Sequence, residues 1–428
     1  MSLEFKYYKI NDIGEVVSGG TPSTSKNEYW YGDIGWITLK DLSSYDDIYI
    51  SRGERNISSE GLNNSSAKLV PKNTVLMTSR APIGYIAIAN NELSTNQGFK
   101  SLICNEKICH YKYFYYWLKL NIKYIINNSN GSTFKEISGG TFKNLELSLP
   151  SLNEQKAISS VLWTIDEKIS VLKRINKNLE EQIETIYNSF FVYYDDFSKE
   201  ELEECEIGLI PKDWELMSLG EVTTKIKEKV GSDDYKVFSA VNTGNLILSE
   251  EYFDKQVYSK NIEKYIVVKQ KEFAYNPARI NIGSIGRNDF NYDGCVSPVY
   301  VAFKVEEGYE NFINMYIKSN RFNQWVVTLS SGSVRQTLNY ADFSIIKIAY
   351  PPKDLVNKFN KVYDNYYEVI NYNNSVISNL ENIRDTLLPK LMSGEIDVSK
   401  INCDLELKYN YMKYLFNQIQ TPMSKSVV

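Results

Sequence analysis

The sequence is poor in the residues from which most catalytic and metal sites are built. It has one histidine, His110, and five cysteines scattered along 428 residues. Cys104 and Cys109 are near each other, but no second cysteine or histidine pair follows, so isolated thiols are favoured over a zinc site. A single histidine without an evident partner is more typical of a surface or a helix start than of a general base.

Two motifs that would indicate an enzyme are also incomplete. The loop that holds a flipped base in DNA amino-methyltransferases has two prolines and an aromatic residue, which the nearest string, Asn276-Pro277-Ala278-Arg279, lacks. The segment from Gly14 to Gly20 has glycines but not the Lys-Ser or Lys-Thr of a phosphate-binding loop. We therefore predict a binding protein that is not an enzyme and carries no cofactor or metal of its own.

Long apolar runs are absent as well. No run reaches the roughly 20 residues that span a bilayer, and the first five residues lack the basic and apolar regions of a signal peptide. With 43% hydrophobic and 24% charged residues, we expect a globular, cytoplasmic protein without membrane contact. The net charge is −5, but a cluster of seven acidic residues lies between positions 195 and 206, so basic faces can exist elsewhere.

The most prominent feature that is present is a pair of long amphipathic segments. Between residues 154 and 191, apolar residues recur every three or four positions, which predicts a helix roughly 55 Å long. Ser151 and Glu154 fit a capping box at its start. A second segment, from residue 359 to 387, keeps the alternating spacing of three and four that is typical of a coiled-coil seam.

The two helices belong to a duplication of the whole chain. Pro150 precedes the first helix and Pro351 the second, and Arg80-Ala81-Pro82-Ile83-Gly84 corresponds to Arg279-Ile280-Asn281-Ile282-Gly283. Each copy mixes short strands with a few helices, which predicts an α+β fold with two tandem α/β domains, each followed by a long helix. The predicted segments are a first domain at 1–150, a helix at 151–196, an acidic linker at 197–213, a second domain at 214–351, a helix at 352–393 and a tail at 394–428.

Each copy also has a glycine- and hydroxyl-rich loop before its last strand. The first reads Gly131-Ser132-Thr133-Phe134-Lys135 and the second Gly332-Ser333-Val334-Arg335-Gln336. Hydroxyl groups, backbone amides and cations bind phosphates, and Arg or Gln can pair with bases in the major groove. A plain surface turn is the alternative, but recurrence in both copies favours a DNA-binding role for Ser132, Thr133, Lys135, Ser333, Arg335 and Gln336.

Arginines at equivalent turns give a second set of candidates. Arg80 and Arg279 precede Gly84 and Gly283, which suits a cation on a tight turn that faces an anionic ligand. The alternative is an arginine paired with a neighbouring carboxylate, and the sequence leaves both open. Further candidates for DNA binding are Lys40, Gln97 and Arg287.

Several motifs together resemble the specificity subunit of type I restriction-modification systems. The resemblance covers nearly the whole chain to about Val398, and its motifs are Gly19-Gly20-Thr21-Pro22-Ser23, Gly32-Asp33-Ile34-Gly35-Trp36-Ile37, Leu149-Pro150-Ser151-Leu152-Asn153-Glu154-Gln155, Ile210-Pro211-Lys212-Asp213-Trp214 and Leu387-Leu388-Pro389-Lys390-Leu391-Met392-Ser393-Gly394-Glu395. We include Gly20, Thr21 and Ser23 of the first motif among the DNA-binding candidates. The second copy has Leu355-Val356 where the first has Glu154-Gln155, and the tail after Lys400 has no counterpart in the family.

The resemblance implies two target-recognition domains that each read half of a split DNA site, separated by two antiparallel helices. It implies a subunit that is inactive alone and binds two adenine-N6 methyltransferase subunits, joined by restriction translocase subunits. S-adenosylmethionine, ATP and Mg are then expected on those partners, and Glu154 and Gln155 are candidates for partner binding. The two copies differ in sequence, so an asymmetric DNA site is expected.

The helical seam predicts a register for the two helices. Asn176 and Asn373 occupy seam positions where Leu or Ile is expected, and full overlap of antiparallel helices places them at one level. A polar residue in a seam can fix register at some cost in stability. The alternative to the DNA-binding reading is a coiled-coil scaffold that carries two domains for other ligands, such as carbohydrates or peptides.

Overall fold

The computed structural model describes residues 4–43, 45–131, 135–241, 244–252, 258–330 and 337–398. The chain divides into two compact units. Unit 1 contains the residues up to Arg174 and those from Asn374 onward, and unit 2 contains Ile175–Asn373. Each unit therefore includes one globular region together with its own portions of both long helices, so the unit boundaries lie inside the helices rather than at their ends.

The globular region of unit 1 is built mainly from short strands. Its strands are β1 (Lys6–Lys9), β2 (Gly14–Val17), β3 (Trp30–Ile37), β4 (Tyr49–Ile50), β5 (Asn56–Ile57), β6 (Leu69–Val70), β7 (Val75–Ser79), β8 (Ile83–Ala89), β9 (Leu93–Thr95), β10 (Ser101–Cys104) and β11 (Glu146–Leu149). Its helices are α1 (Leu39–Ser43), α2 (Ser59–Asn63), α3 (Tyr111–Leu120), α4 (Ile122–Asn127) and α5 (Gly139–Lys143), and the long helix α6 (Leu152–Asn188) follows them.

The strands of unit 1 form two main sheets and one pair. The first sheet has the order β2-β10-β7-β8-β4, the second β5-β3-β9-β6, and β1 pairs with β11. Every residue of β7 is buried, as expected for a central strand rich in apolar side chains. Strands β7 and β8 flank Arg80, and α3 contains the buried residues 113–118, so the predicted mixture of short strands and helices is confirmed in this unit.

Unit 2 repeats this construction with different side chains. Its strands are β12 (Leu202–Cys205), β13 (Gly208–Pro211), β14 (Glu215–Ser218), β15 (Thr223–Lys225), β16 (Lys236–Ala240), β17 (Leu246–Leu248), β18 (Ile266–Val268), β19 (Phe273–Tyr275), β20 (Ile285–Arg287), β21 (Gly294–Val296), β22 (Val301–Val305) and β23 (Lys347–Tyr350). Its helices are α7 (Leu219–Val222), α8 (Ser249–Tyr252), α9 (Glu310–Tyr316), α10 (Asn320–Leu329) and α11 (Tyr340–Ser344), followed by the long helix α12 (Lys353–Met392).

The strand orders show that the two units share one topology. In unit 2 they are β15-β22-β19-β20 and β17-β16-β21-β18, with β14 paired to β23. The second sheet of each unit has a parallel pair at its centre, β3 with β9 and β16 with β21, flanked by antiparallel neighbours. Gly84, the second residue of β8, and Gly283, in the turn between β19 and β20, both have positive φ, +109° and +83°, which favours glycine at both positions. The predicted duplication is therefore visible in the fold itself.

The long helices are α6, Leu152–Asn188, where 151–196 was predicted, and α12, Lys353–Met392, where 352–393 was predicted. Ser151 and Glu154 form the predicted capping box, because the Ser151 amide donates to Glu154 Oε2 at 2.9 Å and the Glu154 amide to Ser151 Oγ at 3.4 Å. A short π-helical turn, Ser189–Tyr193, ends the first helix. Among the described residues, no helix is long and apolar enough to cross a membrane. The predicted tail beyond residue 398 lies outside the described residues.

Within each unit, the segments of α6 and α12 run antiparallel. In unit 1, Asp166 contacts Arg384 at 2.9 Å and Lys173 contacts Glu381 at 3.7 Å, so the numbering rises on one helix as it falls on the other. In unit 2, Asn176 contacts Asn373, and the Tyr187 and Phe359 rings lie 5.8 Å apart. The apolar seam residues join the core of the unit to which they belong; examples are Ile158 and Leu162 in unit 1.

The segment expected to be an acidic linker is ordered in unit 2. Strands β12 and β13 pair as a hairpin, and Ile210 and Trp214 pack with Tyr194 in the core of that unit. Glu203 and Glu204 remain exposed. The apolar residues of the same segment pack inside unit 2, which gives the segment a buried side that a linker without a core would lack.

Candidate nucleic-acid interface

The loop that precedes β3 is fixed by two tryptophans. Trp36 donates its indole N–H to the Gly20 carbonyl at 2.9 Å, and Trp30 donates its own to the Ser23 carbonyl at 3.1 Å. The two indoles also pack edge to face, with ring centroids 5.0 Å apart. Thr21 and Ser23 are exposed on this loop. The loop therefore presents hydroxyl groups from a backbone that is held in place from beneath.

Gly20 itself supports the loop and is buried. A Cβ at this position would come within 2.3 Å of the Ser66 backbone, and the Gly20 amide donates to the Thr95 carbonyl at 2.9 Å. Gly20 was predicted to be a DNA-binding residue; its amide and carbonyl are both engaged inside unit 1, and DNA binding there stays a prediction. Its role is to let the loop pass close to residues 66 and 67.

Short contacts connect several of the predicted DNA-binding residues in unit 1. Thr21 Oγ1 donates to Gln97 Oε1 at 2.5 Å, and the Ser79 amide donates to the Gly98 carbonyl at 2.7 Å. Arg80, which follows Ser79, lies 3.8 Å from Glu136. Contacts thus link Thr21 to Gln97 and Arg80 to Glu136 across long stretches of sequence, and Lys135, next to Glu136, is exposed.

The electrostatics of this surface are set by a few charges around Arg80. Its guanidinium and the Glu136 carboxylate are both about half exposed, so their ion pair is worth little and either group can exchange partners. Lys100, beneath them, donates to the Phe99 carbonyl. Burial lowers the pKa of Lys100; Glu136 opposes that shift and Arg80 adds to it. The sequence left open whether Arg80 faces a ligand or pairs with a carboxylate. In the free protein it pairs with the Glu136 carboxylate.

Two further cations, Lys40 and Arg55, contact Glu54 and Trp30. Lys40 on α1 contacts Glu54 at 2.6 Å, and both side chains are largely exposed. Arg55, which follows Glu54, stacks on Trp30 with its guanidinium carbon 3.8 Å from the ring centroid. Sequence reasoning missed Arg55 and the anchoring role of Trp30 and Trp36. The only sequence signal for the two tryptophans was their presence near both ends of the glycine-containing strand β3.

In unit 2, Arg279 occupies the position equivalent to Arg80. It is exposed at the turn after β19, and the part of the chain that the structure describes offers it no carboxylate within ion-pair distance. The Leu338 amide donates to the Pro277 carbonyl at 3.0 Å, as the Ile137 amide does to the Ser79 carbonyl in unit 1. Each turn is therefore bonded to the segment that follows the Gly-Ser loop.

Five predicted contacts cannot be placed. Ser132 and Thr133 in unit 1 and Ser333, Arg335 and Gln336 in unit 2 lie outside the described residues.

Arg287 was predicted to bind DNA, and the structure contradicts this. Its side chain is only 5% exposed, and its nitrogens donate to Asp289 Oδ1 at 2.5 Å, Asn311 Oδ1 at 2.6 Å and the Tyr363 hydroxyl at 3.1 Å. A guanidinium with these partners has no exposed edge for a base. Arg287 instead joins β20 to α9 and α12 inside unit 2.

Gln155 was predicted to bind a partner, and it too is used internally. Its side-chain oxygen accepts from the backbone N–H of His110 at 2.9 Å. Its side-chain nitrogen donates to the carbonyls of Ile108 and Pro150 at 2.9 and 3.0 Å. A residue that is 1% exposed has no surface for another chain. Glu154 caps α6 and is partly exposed, so partner binding there stays a prediction.

His110 stands at the start of α3, as its isolation in the sequence suggested. Its Nδ1 lies 3.2 Å from Ser159 Oγ on α6. Burial, with smaller effects from Lys112 and Lys156, lowers the pKa of His110 to about 4. Cys104 and Cys109 are free thiols, and the described residues contain no cluster of His, Cys, Asp and Glu able to hold a metal ion.

The two seam asparagines meet inside unit 2. Asn373 Nδ2 donates to Asn176 Oδ1 at 2.8 Å, and the two side chains are 6% and 7% exposed. This is the pairing that the predicted register requires. In unit 1, Asp166 is 4% exposed and accepts from the Tyr116 hydroxyl at 2.6 Å and from Arg384 at 2.9 Å.

Comparison with known proteins supports the resemblance to type I specificity subunits. Residues 3–181 match the family model described as the type I restriction modification DNA specificity domain. The chain is 33% identical over 413 residues to the type I restriction enzyme MjaIX specificity subunit of Methanocaldococcus jannaschii, which covers 92% of this chain and 94% of that protein. It is 26% identical over 179 residues to the HindI specificity subunit of Haemophilus influenzae, covering 40% of this chain and 38% of that protein.

A solved structure agrees at the level of the fold. The crystal structure of a type I restriction-modification S subunit from M. genitalium superimposes with a TM-score of 0.56 at 17% identity, covering 91% of this chain and 96% of that one. Sequence identity over nearly the full length and a shared tandem-domain fold lead to the same family. The chain belongs to the specificity subunits of type I restriction-modification systems, the non-catalytic subunits that supply recognition of a DNA sequence.

Proposed function

We propose that this subunit reads a bipartite, asymmetric DNA site, with unit 1 and unit 2 each recognising one half. The observation that carries the proposal is the shared strand order of the two units combined with their different surfaces. A common topology supports a common mode of docking on DNA. Different exposed side chains support different bases in the two half-sites.

In unit 1, the proposed contact surface contains Thr21, Ser23, Lys40, Arg80, Gln97 and Lys135, all on loops or helix ends. Hydroxyl groups, amides and cations of this kind bind phosphate oxygens and base edges. Because Arg80 and Lys40 are paired with carboxylates in the free protein, we expect DNA phosphates to replace Glu136 and Glu54 as their partners. Ser132 and Thr133 remain proposed contacts of the same unit.

In unit 2, the proposed contacts are Arg279 and the loop with Ser333, Arg335 and Gln336. The bond between Leu338 and Pro277 supports this grouping, since it ties the Arg279 turn to the chain just after that loop. The pairing of Asn176 with Asn373 supports a further role, in which the helices fix the distance between the half-sites.

The reaction in this scheme is carried out by other chains. We propose that two adenine-N6 methyltransferase subunits and the restriction translocase subunits bind the specificity subunit, with Glu154 as a candidate contact. S-adenosylmethionine, ATP and Mg would belong to those partners, and the complex would work on cytoplasmic DNA.

The equivalent arginines allow a reciprocal test. The full chain is expressed with its methyltransferase partner, and methylated motifs are read by genome-wide methylome sequencing, with Arg80→Ala and Arg279→Ala compared with the wild type. We expect Arg80→Ala to weaken or relax one half-site only and Arg279→Ala the other, so each variant serves as the control for the other. If both variants altered the same half-site, or if the wild-type motif had a single continuous part, the proposal would be wrong.

Binding of duplex DNA provides a second measurement. For the wild-type complex, affinity should fall steeply with salt because phosphate contacts release counterions, and one sequence should be preferred over others. Affinity that is independent of salt would contradict the proposed phosphate contacts.

A further inference from the structure

The stack of Arg55 on Trp30 is the least explained polar feature of unit 1. Arg55 is exposed, yet its guanidinium lies 3.8 Å from the centroid of the Trp30 ring. Stacking of this kind uses the face of the guanidinium and restricts its orientation. It leaves the N–H groups on the edge available, and the described part of the chain provides no hydrogen-bond acceptor or carboxylate for them.

Trp30 connects Arg55 to the loop that carries Thr21 and Ser23. The same indole that supports the guanidinium donates its N–H to the Ser23 carbonyl at 3.1 Å. Because Trp30 is 4% exposed and packs edge to face on Trp36, its ring is a fixed platform. Trp30 therefore contacts both the guanidinium of Arg55 and the backbone of the loop at Ser23.

The platform lies at an irregularity of the sheet. Both Trp30 and Ile34 pair with Ile57, so residues 31–33 bulge out of β3. Tyr31, in this bulge, has φ of +63° and is 81% exposed. Bulges redirect side chains beside functional sites, and strained backbone in a non-glycine residue is retained where the surroundings enforce it. The bulge thus displays a large aromatic side chain at the residue that follows Trp30.

We propose that Arg55 is a specificity-determining residue that reads a guanine in the major groove of the half-site bound by unit 1. A guanidinium edge matches the O6 and N7 acceptors of guanine, which is a demanding planar geometry. An arginine held by its face is preorganised for it, whereas contact with a phosphate needs only a positive charge. The inference rests on the proposed function of unit 1, and it names a contact that the sequence did not indicate.

The test compares variants of the full chain expressed with its methyltransferase partner, using methylome sequencing to read the motif. Arg55→Ala should make one G·C pair of one half-site degenerate, with discrimination at that pair reduced about 10- to 100-fold. Arg55→Lys should relax the same pair, because lysine keeps the charge but lacks the planar fork. The other half-site and the spacer length should not change.

Arg52→Ala is the matched control. Arg52 is an exposed arginine three residues earlier in the same segment, and no aromatic ring among the described residues stacks against it. It should leave the motif intact. The inference is overturned if Arg55→Ala lowers methylation uniformly with every base preference retained, if Arg55→Lys matches the wild type, or if Arg52→Ala relaxes the motif equally. A wild-type motif that is not bipartite would refute the proposed function, whereas a bipartite motif unaffected by Arg55→Ala would refute only this inference.

Discussion

The buried ion pair between α6 and α12 in unit 1 gives a quantitative test of what holds these helices in place. Asp166 is 4% exposed and accepts from Tyr116 at 2.6 Å and from Arg384 at 2.9 Å. Replacing Arg384 with methionine leaves the carboxylate buried with one neutral donor. Loss of one partner of a buried pair costs about 3–5 kcal/mol, so we expect Arg384→Met to lower the free energy of unfolding by that amount.

Removing both charges should cost much less. In the double variant Asp166→Asn with Arg384→Met, the amide oxygen can still accept from Tyr116 and no buried charge remains. We expect a loss of about 1–2 kcal/mol, typical of one imperfectly satisfied polar group. The two substitutions should therefore be coupled by about 2 kcal/mol or more, in the direction that the second rescues the first.

Urea unfolding of the full chain, followed by far-UV circular dichroism, measures these differences as long as the denaturant slope is the same for each variant. Lys173→Met is the matched control, because Lys173 contacts Glu381 across the same two helices at 3.7 Å with both side chains about 40% exposed. It should change stability by about 1 kcal/mol or less. A double variant as unstable as Arg384→Met alone would refute the idea that the uncompensated charge is the cause.

Three further predictions concern other internal contacts. Replacing either Asn176 or Asn373 with leucine should cost about 1–3 kcal/mol, because it removes the hydrogen bond between two buried amides. Replacing both should recover most of that loss, and a double variant that loses the sum would contradict this. Burial lowers the pKa of His110 to about 4 in the folded chain, against the usual 6.5, so protonation of this imidazole favours the unfolded chain. Stability should therefore fall as the pH drops from 6.5 to 4. In a pH series of thermal unfolding, His110→Gln should remove that part of the fall. Gln155→Ala should lower the free energy of unfolding by about 1–3 kcal/mol, because the His110 backbone N–H and the carbonyls of Ile108 and Pro150 lose their partner. Glu154→Gln keeps an acceptor for the Ser151 amide and should change the free energy of unfolding little in the same assay.

The features of the fold that were predictable are those written in periodic or repeated residues. The two helices follow from apolar spacing, and the observed α12, Lys353–Met392, agrees with the predicted end at residue 393. The tandem units follow from matched strings such as Arg80 to Gly84 and Arg279 to Gly283. The strand order was not predictable, because β3 pairs with β9 and β10 with β2 across long stretches of chain whose short strands carry no pairing signal.

The candidate contacts were less predictable, because residue type does not reveal partners. Arg279 and Arg287 are eight positions apart and equally basic, yet one is exposed and the other is enclosed by Asn311 and Tyr363, which are distant in sequence. Gln155 was likewise taken for a partner-binding residue, because the family resemblance includes the Glu154-Gln155 pair at this helix start. Only the packing of α6 against the segment before α3 shows that this helix start is covered.

Burial thus sorts the polar residues of this subunit into two groups with different expected effects. Asp166, Arg287 and Gln155 have their bonds satisfied inside the fold, so substituting them should alter stability and leave the sequence of the DNA motif unchanged. Thr21, Arg55 and Arg279 are exposed on loops supported by buried groups, so substituting them should alter the motif at little cost in stability. A variant of an internal residue that remained folded and yet changed a base preference would show that this separation fails, and that recognition depends on the packing beneath the loops as well as on their surface.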